Sequence, residues 1–354
     1  MNLRLGRFGK QESACAVGLS ALISGTFTVN VGDTFARGNL CYAATAAGAL
    51  LSLLLLRLLD GALGRRGAAD LGDGLGLLAL PVALGLVLSA ALPLFRFTLA
   101  MERYIFVEAD YVPMVLYLLP VLLLMVLLGM ECVARMAKLL LVPAALALLT
   151  TLLLASPAFD TCHLFPLFSP GFSAFLIQTG EALFRFLPPG FALLAVGRGC
   201  QGKKNVLCGV SRGLLLGGAG AFLMQTGLAL TFFGPDMASL SAPVYCMTMA
   251  ARQERLGLRL DMLVLFLWLT TGLVAAAFYT YAAALLLSQA LAVEDIRPIG
   301  ALLGLQVIGL VLLCNFDSDM ILTAVRLVYD WGYLLFLIPL VLFCGRALMQ
   351  RRRP

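Results

Sequence analysis

Long apolar stretches recur along the whole chain, separated by short polar ones, and each is close to the roughly 20 residues that a helix needs to cross a bilayer. The pattern predicts ten spans: Glu12–Val31, Cys41–Leu59, Val82–Val107, Pro113–Met130, Ala137–Ala155, Phe172–Val196, Gly213–Phe233, Asp261–Leu291, Ile299–Leu313 and Trp331–Leu348. Leu71–Leu80 is apolar with glycines and reads as a surface or re-entrant piece. Gly234–Leu258 is too polar to span; it opens on Gly-Pro-Asp and reads as a surface or re-entrant helix.

One span stands out. Phe172–Gly190 carries Gln178, Thr179, Gly180, Glu181 and Arg185 and ends in Pro-Pro-Gly. Charge inside hydrocarbon costs at least about 2.5 kcal/mol per group, so such residues face a cavity or one another. Gln178, Glu181 and Arg185 fall at i, i+3 and i+7, on one helical face. They line a site, or Glu181 and Arg185 neutralise each other as an i,i+4 pair; both readings are compatible. A glycine among polar groups is one place where a membrane helix breaks, and Pro188-Pro189 is the other. The first span has a similar polar, glycine-centred interruption at Ser24-Gly25-Thr26. The two breaks lie five spans apart. That is the pointer to a five-plus-five inverted repeat with a binding site between helices 1 and 6.

Composition agrees with a membrane protein. Hydrophobic residues make up 61% of the 354 and charged residues only 12%, against about 25% charged in soluble domains. The whole chain, 1–354, reads as one transmembrane transporter-like domain, with repeat 1 at about 12–155 and repeat 2 at about 172–348. Arg4, Arg7 and Lys10 precede the first span, but no small-residue cleavage site follows. The basic residues set the orientation. With the N-terminus inside, most Lys and Arg fall on the cytoplasmic side, including the Arg198–Arg212 cluster and Arg351-Arg352-Arg353, so both termini are predicted cytoplasmic. The net charge of +6 therefore speaks to topology and not to nucleic acid. Nine scattered cysteines without a CxxC and a single histidine, His163, exclude clustered metal ligands, so no metal and no cofactor are expected. His163 sits in a loop and is assigned no role. No phosphate-binding glycine loop or nucleophile elbow is found, and the chain is not read as an enzyme.

A broken helix offers backbone N–H groups to a carboxylate and free carbonyls to an ammonium, which suits a zwitterion such as an amino acid. The candidate ligand-binding residues are Ser24, Gly25, Thr26, Tyr104, Thr179, Gly180, Glu181, Thr271 and Tyr279. Tyr104 and Tyr279 form an aromatic wall, or serve only as interfacial belt and core packing. Glu181, Arg185, Arg96 and Glu102 are candidates for structural or coupling ion pairs. Arg103 is read as snorkelling at the end of the third span; Arg96 and Glu102 stay open between the interface and the site.

Several stretches resemble one family. His163-Leu164-Phe165-Pro166-Leu167, then Gly171 and Gly180-Glu181, are similar to the FPL…G…GE region of the B subunit of endospore germinant receptors. Gly234-Pro235-Asp236-Met237-Ala238 with Pro243 resembles its GPELA…P stretch. Arg259-Leu260-Asp261, Trp268, Gly272 and Tyr279-Thr280-Tyr281-Ala282-Ala283 resemble its RLD…W…G…YxYAA helix, and Arg96 and Glu102 before Pro113 fit its third helix. The resemblance spans nearly the whole chain. It implies the spore germination permease family of the amino acid–polyamine–organocation superfamily: an all-α, LeuT-like fold of about ten helices in the spore inner membrane. The implied role is to bind a small nutrient germinant and signal to a larger A-type subunit and a lipoprotein C-type subunit. Two departures stand out: Phe8-Gly9-Lys10-Gln11-Glu12 fits the family's N-terminal pattern poorly, and Ala275 stands where a lysine is expected. A proton- or ion-coupled amino acid transporter on the same fold is the alternative. A purely structural scaffold would not need Glu181 and Arg185 in so costly a place.

Overall fold

The computed structural model describes residues 7–28, 40–63, 76–105, 111–165, 171–200, 203–232, 240, 242–250, 260–316 and 332–342. In chain order its helices are α1 (Lys10–Thr26), α2 (Cys41–Leu63), α3 (Ala79–Tyr104), α4 (Tyr111–Leu128), α5 (Met130–Ala155), α6 (Phe172–Val196), α7 (Lys203–Thr231), α8 (Pro243–Ala250), α9 (Leu260–Ala290), α10 (Arg297–Phe316) and α11 (Tyr333–Leu342). A single turn, Gly76–Leu78, leads into α3, and α11 opens with a π-helical turn over Tyr333–Leu337. By length and composition, five helices among the described residues can cross a membrane: Cys41–Leu59, Ala79–Tyr104, Met130–Ala158, Val206–Thr231 and Met262–Ala290. Val112–Leu128, Arg297–Leu313 and Tyr333–Leu342 are shorter apolar helices. The protein is a multi-pass membrane protein.

The helices pair in a fixed pattern: α1 packs on α7, α2 on α6, α3 on α9, and α4 on α10. In a bilayer the lipid tails are as apolar as leucine, so packing depends on how closely backbones approach. Gly209, Gly213, Gly217 and Ala221 recur every fourth residue along α7 and meet α1. A Cβ on Gly213 would lie 2.7 Å from the Ala14 carbonyl oxygen and 2.6 Å from Val17 Cβ. One on Gly217 would lie 2.6 Å from Ala21 Cβ. Gly48 gives α2 the same close approach to α6, 2.7 Å from the Ala182 carbonyl carbon. On the other side, Phe336 of α11 fills the space over Gly85 of α3 and meets Phe191 of α6 in a tilted ring contact at 5.5 Å.

Three junctions show why the chain turns where it does. Gly129 alone joins α4 to α5 with φ at 90°, a conformation that favours glycine. The loop after α5 folds back on the end of α7: the Asp160 N–H donates to the Leu230 carbonyl at 2.9 Å, and His163 Nδ1 lies 3.0 Å from the same oxygen. That carbonyl belongs to the last turn of α7, where intrahelical partners run out. His163, expected to be merely solvated, thus caps a helix. At the opposite end of the bundle, buried Phe8 donates its N–H to the Gly199 carbonyl at 3.2 Å and so ties the start of α1 to the α6–α7 loop.

Two expectations need correction. The sixth helix, α6, is not broken: it runs without interruption from Phe172 to Val196, through both Gly180 and Pro188-Pro189. At Gly180 nothing lies within 4 Å of an added Cβ, so no neighbour demands glycine there. Thr179 Oγ1 donates to the Phe175 carbonyl at 2.8 Å, and Arg185 pairs with Glu181 one turn on; both contacts lie along the helix. The prolines remove two N–H donors opposite the Phe184 and Arg185 carbonyls, but this half of the helix is buried and the helix runs on through them. The first helix does stop at the predicted point. It ends at Thr26 and not at Val31, and residues 29–39 lie outside the described residues. Of Gly234–Leu258 only residues 240 and 242–250 lie within the described residues; there α8 is helical as expected, and its buried Val244, Tyr245 and Met247 pack among its neighbours. Of the Leu71–Leu80 piece, residues 71–75 fall outside the described residues.

Two substitutions separate these packing claims. Gly213→Leu should lower stability in detergent or nanodiscs by about 1–3 kcal/mol or more, since a backbone oxygen cannot yield. Gly180→Ala should raise stability by about 0.5–1 kcal/mol if the helix is continuous there; a fall in the melting temperature would mean that the chain uses an open form at Gly180.

Candidate functional site

The site forms where α1 ends. The last carbonyls of a helix have no intrahelical partner, and here those of Ile23, Ser24 and Gly25 are met. Phe27 N–H donates to Ile23 O at 2.9 Å, Thr26 Oγ1 to Leu22 O at 2.6 Å, and Thr28 Oγ1 to Ser24 O at 2.6 Å. The Gly25 carbonyl receives Gln225 Nε2 from α7 at 3.0 Å. Gly25 itself is enclosed: a Cβ there would sit 2.9 Å from Phe186 Cζ of α6 and would also strike Ala221. The end of α1 is therefore clasped by α6 and α7 at one residue.

On the α9 side, Ser24 Oγ and Tyr279 OH are 3.1 Å apart. Tyr279 is fully buried. Nearer the start of α9, Thr271 lines a narrow cleft with Leu22, Ile23 and Phe27 of α1, Ala144, Ala147 and Leu148 of α5, and Trp268. The Thr271 hydroxyl is satisfied within its own helix by Trp268 O at 3.2 Å and by Leu267 O. Phe27 stacks on Trp268 at 4.4 Å, and Phe97 of α3 meets the same indole edge-on at 5.9 Å. The cavity is about 10 Å³, room for about one water. Among the described residues, α1, α5 and α9 leave no room in this cleft for a larger molecule.

Glu181 and Arg185 form an ion pair on α6, with Arg185 Nη2 3.4 Å from Glu181 Oε2 and side-chain exposures of 13% and 3%. Gln178 and Thr179 are buried one turn earlier, while Gly180 is half-buried. α6 touches α1 through Phe186 and α2 through Ala182, so these polar groups belong to the same half of the bundle as Gly25. Arg96 is buried in α3, Glu102 is half-buried and Arg103 exposed, which puts Arg103 at the surface as expected and Arg96 inside the protein. Tyr104 stands apart, at the end of α3. Its ring lies 5.2 Å from Tyr245 of α8, and its hydroxyl accepts from Cys246 Sγ at 3.3 Å.

Ser24, Gly25, Thr26, Thr271 and Tyr279 are thus brought together around one helix end, whereas Tyr104 packs on α8. The structure adds two residues that the sequence reading passed over. Gln225 is buried, and among the described residues its Oε1 accepts no hydrogen bond. Its signal was a lone amide in an otherwise apolar span, the same signal that drew attention to Gln178. Trp268 was noticed only as a family-like residue, yet it lines the cleft, with a buried indole N–H that has no partner among the described residues. Ala275, where a lysine is expected, is fully buried in the core, and the space a longer side chain would take is filled. Among the described residues no group of three or more His, Cys, Asp or Glu could hold a metal ion.

Comparison with known proteins gives the same picture. The profile of the family described as "Spore germination protein" matches residues 76–318. No curated protein matches the chain. Among solved structures, a Na+-coupled sialic acid symporter in a substrate-bound outward-open state is similar with a TM-score of 0.60 at 11% identity, covering 94% of this chain and 77% of its own. A nucleobase-cation-symport-1 family transporter, closed with bromovinylhydantoin bound, has a TM-score of 0.60 at 13% identity and coverages of 86% and 71%. The manganese transporter of Eremococcus coleocola has 0.56 at 17% identity, with 96% and 76% covered. These likenesses are of fold: an all-helical, LeuT-type arrangement with which the five-plus-five repeat agrees. Family and structural neighbours alike are permease- or transporter-like and not enzymes.

The Ser24–Tyr279 contact gives a direct test of this geometry. Tyr279→Phe removes a neutral hydrogen bond and should cost about 0.5–1.5 kcal/mol, whereas Thr271→Val should cost less because that hydroxyl bonds only to its own helix. Thermal melts of the two variants in the same nanodiscs read the difference.

Proposed function

Because the chain belongs to the spore germination protein family, we propose that it is the membrane subunit of a germinant receptor, binding a small nutrient, an amino acid, where α1 ends. The observation that carries this reading is the clasp at Gly25. Buried polar groups from α1, α7 and α9 converge there: the Gly25 carbonyl, Gln225 with an unused acceptor, and the Ser24–Tyr279 pair. Acceptors of this kind suit an ammonium, and Glu181, part-exposed beside Arg185, adds a negative group on the α6 side. Thr26, Thr179, Gly180 and Thr271 complete the lining, and Arg96 and Glu102 on α3 are assigned to ion pairing or coupling.

The closed cleft turns binding into movement. A ligand must displace the Ser24–Tyr279 contact and part α1 from α9, and a ligand that binds the parted form better shifts the protein toward it. We assign this motion as the signal to A-type and lipoprotein C-type subunits. The protein would sit in the spore inner membrane with both termini cytoplasmic, and the two halves would run over about 12–155 and 172–348. The likeness to transporters supports a second reading, an ion-coupled amino acid transporter.

Uptake and binding of a labelled amino-acid panel, measured on the same proteoliposomes, distinguish the two. Saturable binding without uptake is the expected result; uptake against a gradient would make the chain a transporter. Glu181→Gln should impair ligand response more than protein abundance. Equal loss of both would reduce Glu181 to a structural partner of Arg185.

A further inference from the structure

Phe27 is the first residue past α1, and its N–H closes the helix on Ile23 O. Its ring crosses to α9. There it stacks on Trp268, with centroids 4.4 Å apart and the two planes 21° from parallel. Phe97 of α3 meets the same indole at 84°, edge to face. All three side chains are buried. The indole thus holds one flat ring against its face and a second ring at right angles.

Two observations separate this group from ordinary core packing. Interiors are close-packed, with few voids larger than a water molecule, yet the cleft of about 10 Å³ lies at the stacked pair, lined by both rings and by the small Ala144 and Ala147 of α5. Buried tryptophans also find an acceptor for the indole N–H as a rule. Trp268 is only 3% exposed, and its Nε1 has no partner among the described residues. A buried donor left unmet is costly, and parting α1 from α9 would give it an acceptor.

We propose that the Trp268 face is the subsite for the ligand's side chain, that Phe27 holds this place in the closed form, and that the ligand is an aromatic amino acid. The proposal rests on the reading that an amino acid binds where α1 ends and parts it from α9. Phe27 sits beyond the last residue of α1, so its ring can turn away without unwinding the helix. When it leaves, a side chain without a ring leaves the indole face bare. A flat ring restores the stack and meets the edge of Phe97 as Phe27 did. Exchange of ring for ring keeps a contact worth up to about tenfold in affinity beyond the area it buries. No charged side chain lines the cleft, so a side chain that carries charge is disfavoured there.

The test is binding of L-phenylalanine, L-leucine and L-alanine to the chain in nanodiscs. The chain has two tryptophans, Trp268 and Trp331, so Trp331→Phe makes Trp268 the sole fluorescent reporter. Phenylalanine should bind about tenfold tighter than the other two and shift the Trp268 emission. Phe27→Ala should tighten phenylalanine binding, because no ring has to be displaced, and a misfolded variant could not show such a gain. Trp268→Leu should bring phenylalanine down to the level of alanine while alanine still binds. Alanine or leucine bound as tightly as phenylalanine, or unchanged preference in Trp268→Leu, would overturn the aromatic subsite and leave the site at the end of α1 standing. Failure of all three ligands to bind would overturn the receptor reading and the subsite with it.

Discussion

The close seam between α1 and α7 is the constraint on which the rest of this protein depends. Hydrophobic collapse cannot drive helices together in a bilayer, so the backbones must touch. Gly213 and Gly217 allow it, with the α1 backbone lying where their side chains would otherwise be. The register of that seam brings Gln225 level with Gly25, and so decides which orphan carbonyl is capped and where α1 can stop. A slip of one turn, about 5.4 Å, would leave both groups buried and unmatched.

The same seam explains how a helix can end inside a membrane. An unmet carbonyl in hydrocarbon is costly, yet α1 stops at Thr26 with the Ile23, Ser24 and Gly25 carbonyls bonded, by the Phe27 N–H, the Thr28 hydroxyl and an amide from α7. The binding chemistry proposed for this place uses the same groups. Structural need and recognition are not separable at Ser24, Gly25 and Gln225, because the groups that close the helix end are those a ligand would meet.

Much of this was legible in the sequence, for physical reasons that also mark where legibility ends. Span positions follow from hydropathy, and most predicted ends fall within a few residues of the helices. The stop at Ser24-Gly25-Thr26 was visible because small polar residues in an apolar run are expensive unless used. The identical argument misplaced a break at Gly180, because a glycine in an apolar helix signals either an interruption or merely a missing side chain, and only the neighbours distinguish them. Gln225 and the cap made by His163 were hidden for a different reason. Each depends on a carbonyl far along the chain, Gly25 in one case and Leu230 in the other, and no local pattern encodes such a partner. Tyr104 was placed with the site by type alone, whereas the structure seats it against α8.

Pro188 and Pro189 leave α6 with two rungs of its hydrogen-bond ladder missing, just past the phenylalanines that press on Gly25 and Gly332. Over that turn the helix relies on its neighbours' packing and not on its own hydrogen bonds. Its support is therefore borrowed: were α1 to part from Phe186, as the proposed binding requires, α6 could flex over that turn without breaking any hydrogen bond at the missing rungs.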